Sequence, residues 1–432
     1  MKDLMRSPRL EELPAPPKGK TGWPWTEETP PLSADAPGGT PWPKASVVTP
    51  SYNQGQFIEE TIRSVLLQGY PNLEYIVVDG GSTDDSVEII RKYEKWLAYW
   101  VSEPDRGQSD AINKGWRRAT GEVWAWLNSD DVYLRRALER AAQTFAQHPD
   151  VEMVYGSSVL VNERGEVEGH LRAPAFDLKE LVRVNSVPQP STFLRGQAAV
   201  GAGYLSESLH LCMDYDLWLR VALRGRVVNL DEALSAMRLH PQSKTCTQLT
   251  RMNAELADIA TDFLSAPDLP AELREVRHAL LSRQRWVAGA MLWFGGRMDE
   301  GEKYLRLALE EGRLDDREEI AVIVADAAVR SDATGAAAKV GEFFDAFPHA
   351  KPAARLSEGW VSALLAKESV NSPSFYGHAL RALRYAPTPR VLRAVAPLIL
   401  TRVTGAKVQR GIRRLKRTWA HSPVGLSLSE LS

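Results

Sequence analysis

The chain has 432 residues, of which 44% are hydrophobic and 25% charged, with a formal net charge of −2. That is the make-up of a globular protein with room for two or three domains, and the near-neutral total gives no electrostatic footprint for nucleic acid. Only Cys212 and Cys246 occur, in no CxxC or Cys/His spacing, which excludes a disulfide framework and a structural zinc site and fits a reducing compartment. The N-terminus lacks a charged-then-apolar signal pattern. The longest apolar run, Trp286 to Phe294, is far short of the roughly 20 residues of a spanning helix. The expectation is a cytoplasmic protein, with a peripheral place at the inner face of the membrane as an option.

Residues 1–44 hold ten prolines and three tryptophans with no helical or strand period, so this Pro/Trp-rich extension has no core of its own. Its Trp23-Pro24-Trp25 and Trp42-Pro43 pairs argue that part of it lies as an extended arm on the adjoining domain. From Ala45 the pattern changes. "ASVVT" predicts a strand, Gln56 to Gln68 a helix, "LEYIVVD" a strand, and "DDSVEIIRKYEKW" a helix with Val87, Ile90 and Tyr93 on one face. "LAYWV", "GQSDAINKGWRRAT" and "EVWAWLN" continue as strand, helix and strand. Strands alternating with helices of this length predict βαβ units and a mainly parallel sheet covered on both faces.

A helix from Leu134 to Gln147 comes next, then strands at "EMVYGSSVLV" and "VEGHLR" joined by a turn at residues 162–165. Beyond about Thr250 strand-like runs stop. Residues 278–312 read as two helices joined by Gly295-Gly296, resembling a tetratricopeptide-like hairpin without a visible repeat. The division expected is an extension over 1–44, an α/β domain over 45–250 and a helical domain over 251–432.

Each of the first four strands ends in a polar or glycine-rich loop: "PSYNQG", "DGGSTDDS", "SEPDRGQSD" and "NSDD". In an open α/β sheet ligands bind at the carboxyl ends of the strands, so these loops should converge on one crevice. Asp79 stands where it can accept a hydrogen bond from a base or ribose, Tyr52 offers a face for stacking, and Arg106 a base or phosphate contact. Asp130 and Asp131 are adjacent like charges, which repel unless solvated or paired. They suit a divalent cation such as Mn²⁺ or Mg²⁺, which takes carboxylate and phosphate oxygens; they also stand where they could cap a helix at Leu134. No GxxxxGK[ST] loop occurs, and "DGGSTD" does not fit GxGxxG, so neither an ATP-cleaving nor a dinucleotide site is supported.

The segments "SVVTPSYNQGQFIEETIRSVLLQGYPNLEYIVVDGGSTDDS", "SEPDRGQSDAINKGWRRATGEVWAWLNSDD" and "MDYDLWLR" together resemble the inverting family 2 glycosyltransferases with the GT-A fold. The resemblance runs from Ser46 to about Thr245. It implies a nucleotide-diphospho-sugar transferase-like fold, a Rossmann-like mixed sheet flanked by helices, here with an all-α C-terminal domain. It also implies a nucleotide-sugar donor, most commonly a UDP-sugar, held by Pro50, Tyr52, Asp79, Arg106, Asn128 and Ser129. The family's Asp-x-Asp metal motif falls on Asn128-Ser129-Asp130, with Asn in place of the first Asp, so the metal carboxylate is Asp130 and a late metal ligand is His240. The family's catalytic base falls on Asp214 in Met213-Asp214-Tyr215-Asp216, where Met replaces the preceding acid. Asp131 and Asp216 are supporting candidates. The reaction implied is single displacement onto a hydroxyl of a glycan or lipid-linked acceptor, as in cell-surface polysaccharide assembly. "SVPQPSTFLR", Ser186 to Arg195, is expected on the acceptor side, and Ser157 and Gln189 near the donor sugar.

Two other accounts stay open at the level of sequence. A nucleotidyltransferase can share such a crevice, but needs an activating Lys and a Gly-rich first loop that "TPSYNQG" does not supply. A non-catalytic nucleotide-sugar-binding scaffold would draw on the Asn128 and Met213 departures. Between Asn371 and Ser422 there are eleven Lys or Arg and no acidic residue. Within that stretch Val408, Ile412, Leu415 and Trp419 share a helical face ringed by basic residues. Such a helix can lie on an anionic membrane or pack its apolar stripe on the helical domain.

Overall fold

The computed structural model describes residues 7–37, 39–311, 317–368, 375–386 and 388–404. The chain divides into two compact units, Met1–Thr247 and Gln248–Ser432.

The first unit begins its α/β pattern with β1 (Ala45–Ser51), α1 (Ile58–Leu66), β2 (Leu73–Asp79), α2 (Ser86–Tyr93), β3 (Tyr99–Ser102), α3 (Gln108–Trp116) and β4 (Val123–Trp126). It continues with β5 (Val132–Tyr133), α4 (Ala137–Gln147), β6 (Val151–Val161), β7 (Val167–Leu171), α5 (Leu178–Arg183), β8 (Thr192–Arg195), α6 (Gly196–Gly201), α7 (Met213–Ala222), β9 (Arg226–Arg238) and the short α8 (Lys244–Thr247). The sheet order is β3-β2-β1-β4-β8-β6-β9-β5, with β7 paired on β6. Strands β1 to β4 are mutually parallel, and every residue of β1, β2 and β4 is buried. That two-sided burial is why these strands read as unbroken apolar runs.

The expectation of a mainly parallel sheet needs correction. β8 joins β4 and β6 antiparallel, β7 joins β6 antiparallel, and β5 joins β9 antiparallel, while β6 and β9 run parallel. The sheet is mixed because β8 inserts between β4 and β6 and runs against both, while β7 returns from β6 through a tight turn, a link that only an antiparallel neighbour allows.

Pro50 lies within β1 without breaking it. The β1–β4 pairing ends at Val48↔Trp126, whereas β1–β2 continues to Ser51↔Asp79. Val48 O accepts from Leu127 N on the β4 side, and Ser51 O accepts from Gly80 N on the β2 side. By alternation Pro50 faces the β4 side, past the end of that ladder, where no donor is missed.

The predicted helix from Leu134 starts three residues later. Leu134 N instead donates to Leu234 O of β9, and Arg136, with φ of 67°, precedes α4. Asp130 and Asp131 are thus too far upstream to cap this helix.

Within the N-terminal stretch, Leu13, Trp25 and Trp42 are buried. Arg63 of α1 is fully buried and donates to the carbonyls of Pro14 (2.8 Å), Pro24 (3.1 Å) and Trp25 (2.9 Å). One guanidinium thus satisfies three carbonyls of a segment that has little backbone pairing of its own.

The second unit is helical throughout its described residues: α9 (Leu249–Leu264), α10 (Ala271–Phe294), α11 (Met298–Glu311), α12 (Arg317–Ser331), α13 (Ala336–Ala346), α14 (Ala354–Glu368), α15 (Phe375–Tyr385) and α16 (Pro389–Thr404). The hairpin read at Gly295-Gly296 is α10–α11. Its turn is a Schellman cap, with Arg297 N donating to Leu292 O and Gly296 N to Trp293 O. Gly296 has φ of 83°, a conformation that a side chain strains. Among the described residues no helix is long and apolar enough to cross a membrane. The basic stretch around Val408 to Trp419 lies outside the described residues.

Candidate functional site

The parallel arrangement of β1 to β4 brings their C-terminal loops to one edge of the sheet. These loops are tied to one another. Gly80 N donates to Ser51 O and Glu103 N to Asp79 O. Asn53, with φ of 51°, accepts at Oδ1 from Thr83 N at 2.9 Å and donates its own N–H to Ser82 Oγ at 2.8 Å.

Asp79 is fully buried. Its Oδ2 accepts from Gly81 N (3.1 Å), Ser82 N (2.9 Å) and Ser102 Oγ (2.7 Å), and its Oδ1 from Ser82 Oγ (2.5 Å). The carboxylate is therefore a clamp that joins the loop after β2 to the end of β3. Tyr52 is 62% exposed, so its ring is open to a ligand. Arg106 pairs with Asp110 (3.0 Å) and Glu207 (2.5 Å), leaving its guanidinium exposed but already neutralised.

After β4 the polar run turns sharply, with Asp131 N donating to Asn128 O at 3.1 Å. Ser129 is buried. Asp130 remains accessible, and its Oδ2 lies 3.2 Å from His240 Nε2. The two adjacent carboxylates have different surroundings. Asp131 is buried, its Oδ1 accepting from Arg238 N at 2.9 Å and its Oδ2 facing Asn128 Nδ2 at 3.5 Å. Burial first, and the charge of Asp130 second, push its carboxyl well above the usual range. The repulsion between neighbours is thus relieved by turning one of them into the protein.

The element that holds Asp130 comes from far along the chain. Arg238, at the end of β9, donates from Nε to Asp130 O (2.9 Å), from one terminal nitrogen to Asn162 O (3.0 Å), and pairs with Glu60 (3.1 Å). Two residues on, His240 packs its ring on Phe57 with centroids 4.9 Å apart. Sequence reasoning singled out His240 and missed Arg238. Only the resemblance that implied a metal ligand at His240 pointed to this region, and partners 76 to 178 residues away leave no local signal.

Asp214 lies in the first turn of α7, where the helix dipole favours a negative charge. Its Oδ2 is 3.4 Å from Asn185 Nδ2. Trp218, one turn further, stacks on Trp126 with centroids 5.3 Å apart, and Trp126 is two residues before Asn128. An aromatic contact thus fixes α7 beside the end of β4. Asp216 pairs with Arg220 on the same helix, and Arg220 also donates to Ala202 O; its carboxylate is engaged in holding α7.

Among the described residues no group of three or more His, Cys, Asp or Glu side chains converges on a common point. The donors that do meet are Asp130 and His240. Their 3.2 Å separation is close enough for both to bind one small divalent ion, which takes carboxylate oxygens beside phosphate and water. Among the described residues the buried Nδ1 of His240 has no hydrogen-bond partner, and the ring is held by Phe57 and Asp130. The residues fit a partial shell whose other positions would fall to phosphate oxygens and water.

The family model described as Glycosyl transferase family 2 matches residues 46–196, which includes every strand-end loop above and stops short of Asp214 and His240. An uncharacterized glycosyltransferase of Mycobacterium tuberculosis is 31% identical over 188 residues, 42% of this chain and 70% of that protein. One of Rickettsia prowazekii is 27% identical over 230 residues, 51% of this chain and 72% of that protein. Among solved structures, TarS 1–349 of S. aureus in complex with UDP-GlcNAc shares 17% identity and a TM-score of 0.45 over 79% of this chain and 89% of that one. From the matched domain and the relative covered over more than two thirds of its length, this chain belongs to the family 2 glycosyltransferases and is a transferase enzyme, with a mixed sheet flanked by helices and a helical C-terminal unit.

Proposed function

We propose that the chain moves a sugar from a nucleotide-diphosphate donor, a UDP-sugar by preference, to a hydroxyl of a glycan or lipid-linked acceptor by a single inverting displacement. The observation that carries this reading is the pairing of an accessible Asp130 with His240 at the same sheet edge as the exposed Tyr52 ring. Asp214 takes the proton from the acceptor hydroxyl, and the oxygen attacks the anomeric carbon from the face opposite the diphosphate. Pro50, Tyr52 and the Asp79 loop hold the base and ribose; Asn128, Ser129 and Arg106 line the diphosphate side. Asp130 and His240 would hold a divalent cation, Mn²⁺ or Mg²⁺, which would supply positive charge to the diphosphate leaving group. In this reading residues 45–250 are the catalytic domain, and the protein works in cell-surface polysaccharide or glycolipid assembly at the cytoplasmic face of the membrane.

The test is a thermal-stability titration with UDP-, GDP- and dTDP-sugars, with Mn²⁺ and with EDTA. A ligand at about 100 times its Kd adds roughly 2.7 kcal/mol. A shift with one nucleotide, dependent on metal and lost in Asp130→Ala, supports the donor assignment; no shift with any of the three removes it. Once a donor is identified, Asp214→Asn should lower turnover by roughly 10²–10⁴-fold with donor binding retained. Unchanged turnover in that variant would move the base elsewhere.

A further inference from the structure

The residue that departs from the Asp-x-Asp pattern is part of a directed chain of side-chain hydrogen bonds. Lys244 Nζ donates to Gln108 Oε1 at 2.9 Å. Gln108 Nε2 donates to Asn128 Oδ1 at 2.7 Å. Asn128 Nδ2 donates to Gln189 Oε1 at 2.9 Å, and Gln189 Nε2 donates to Trp126 O at 2.9 Å. Four segments meet here: the first residue of α8, the first residue of α3, the loop after β4 and the stretch between α5 and β8.

The orientation of every amide follows from the two ends. An ammonium can only donate and a backbone carbonyl can only accept, so each of the three amides must present its oxygen towards Lys244 and its nitrogen towards Trp126. Flipping any one of them sets donor against donor on one side and acceptor against acceptor on the other. Asn128 has a second commitment, since its Nδ2 also faces Asp131 Oδ2 at 3.5 Å. An aspartate at this position has no hydrogen to give. It would break the link to Gln189 and set a third carboxylate beside Asp130 and Asp131.

The stretch around Gln189 is anchored from below as well. Ser191 Oγ joins the buried Ser158 Oγ (3.0 Å) and Ser235 Oγ (2.7 Å) and donates to Ser157 O (2.7 Å). Its upper side is held by Gln189, whose partners are Asn128 and Trp126 O.

We propose that Gln108 and Gln189 are positioning residues that act through Asn128, forming with Lys244 a one-way amide chain that fixes the β4 loop and the Gln189 segment relative to one another. Asn at position 128 is then a requirement of this chain rather than a degraded metal ligand. The consequence for sugar transfer rests on the donor reading above; the chain itself does not.

The first measurement uses no ligand. Hydrogen–deuterium exchange of the full-length protein should show the Gln189 and Ser191 amides exchanging roughly fivefold to tenfold faster in Gln108→Ala, the scale of one lost hydrogen bond, although Gln108 does not touch that segment. Gln108→Glu, which has the same shape and still accepts from Lys244 but cannot donate to Asn128, should do the same. Faster exchange confined to the surroundings of residue 108, or a silent Gln108→Glu, would overturn the chain.

The second measurement is the affinity for UDP with Mn²⁺. Gln108→Ala and Gln189→Ala should each weaken it by roughly fivefold to tenfold, and the double variant no more than the worse single, because both cut the same chain. In the Asn128→Ala background neither should add a further loss. Losses that simply multiply would overturn the proposal. If the unsubstituted protein binds none of UDP, GDP or dTDP, the donor reading falls, while the exchange result still decides the chain.

Discussion

The loops after β2 and β4 both put a carboxylate at the end of a buried strand, and they use it differently. Asp79 is enclosed and accepts four hydrogen bonds, all from residues 81, 82 and 102. Asp130 is accessible, and its carboxylate meets one imidazole from a segment 110 residues away. Its neighbour Asp131 is turned inward and Arg238 grips the backbone between them. The first loop satisfies its own charge locally and so is a rigid wall; the second leaves one carboxylate under-satisfied and facing the crevice. A site for a cation or a phosphate needs the second kind, because a carboxylate already saturated by N–H and O–H donors has little left to give.

Four substitutions sharpen or break that contrast. The largest effect should come from Arg238→Met, which removes the cation that joins Asp130, Asn162 and Glu60; leaving half-buried Glu60 and three segments without it should cost about 3–5 kcal/mol of stability, measured by chemical unfolding. A loss under about 1 kcal/mol would mean that β9 does not hold the β4 loop. Next, Asp130→Ala should lower transferase turnover by on the order of 10²-fold, several kcal/mol of lost charge stabilisation, while the melting temperature hardly moves. Asp79→Asn should show the reverse balance. It should lose about 2 kcal/mol of stability as N–H donors face a carboxamide nitrogen, and its nucleotide affinity should follow stability rather than vanish. Equal behaviour of the two variants would erase the distinction.

The smallest effect lies at the other edge of the same strands. Glu74, at the start of β2, pairs with Lys44 at 2.6 Å and accepts from Ser46 and Thr120. Burial works to raise its carboxyl, but the hydrogen bonds from Lys44, Ser46 and Thr120 outweigh it and hold the group below the usual range. A lowered value in the folded state stabilises above the ordinary carboxylate range, and that stability is lost as pH falls through the folded value. Glu74→Gln should therefore cost about 1 kcal/mol at neutral pH, with the gap to the unsubstituted protein closing on acidification. A gap independent of pH would exclude the ion pair as its source.

The first four strands and the three helices between them were legible in the sequence because buried parallel strands read as apolar runs, and because the loops that end them are short and polar. Asp79, Asp130 and Tyr52 stood out for the same reason, each lying among the first polar or aromatic residues past such a run. The start of α4 falls later than the pattern suggests, since Leu134 fits a helical apolar stripe yet donates to Leu234 O of β9 instead. The change from parallel to antiparallel pairing after β4 also left no mark, because β8 is four residues long and its partners are set by the sheet edge it finds.

By itself, then, the sequence determined the first four strands, the polar loops that end them, and which family the first half belongs to, because periodicity and ordered motifs are local properties; β5, β8 and β9 came only with the tertiary structure. Only the tertiary structure decided what each polar group does. Asp79 and Asp130 are alike as letters, and Asn128 looks like a lapse in a metal motif. The role of Asp79 comes from Gly81, Ser82 and Ser102, and those of Asp130 and Asn128 from Arg238, His240, Gln108 and Gln189, which reach them across 20 to 110 residues. Whether a carboxylate is a clamp or a ligand depends on how many hydrogens its neighbours donate to it, and those neighbours are chosen by the folding of the sheet.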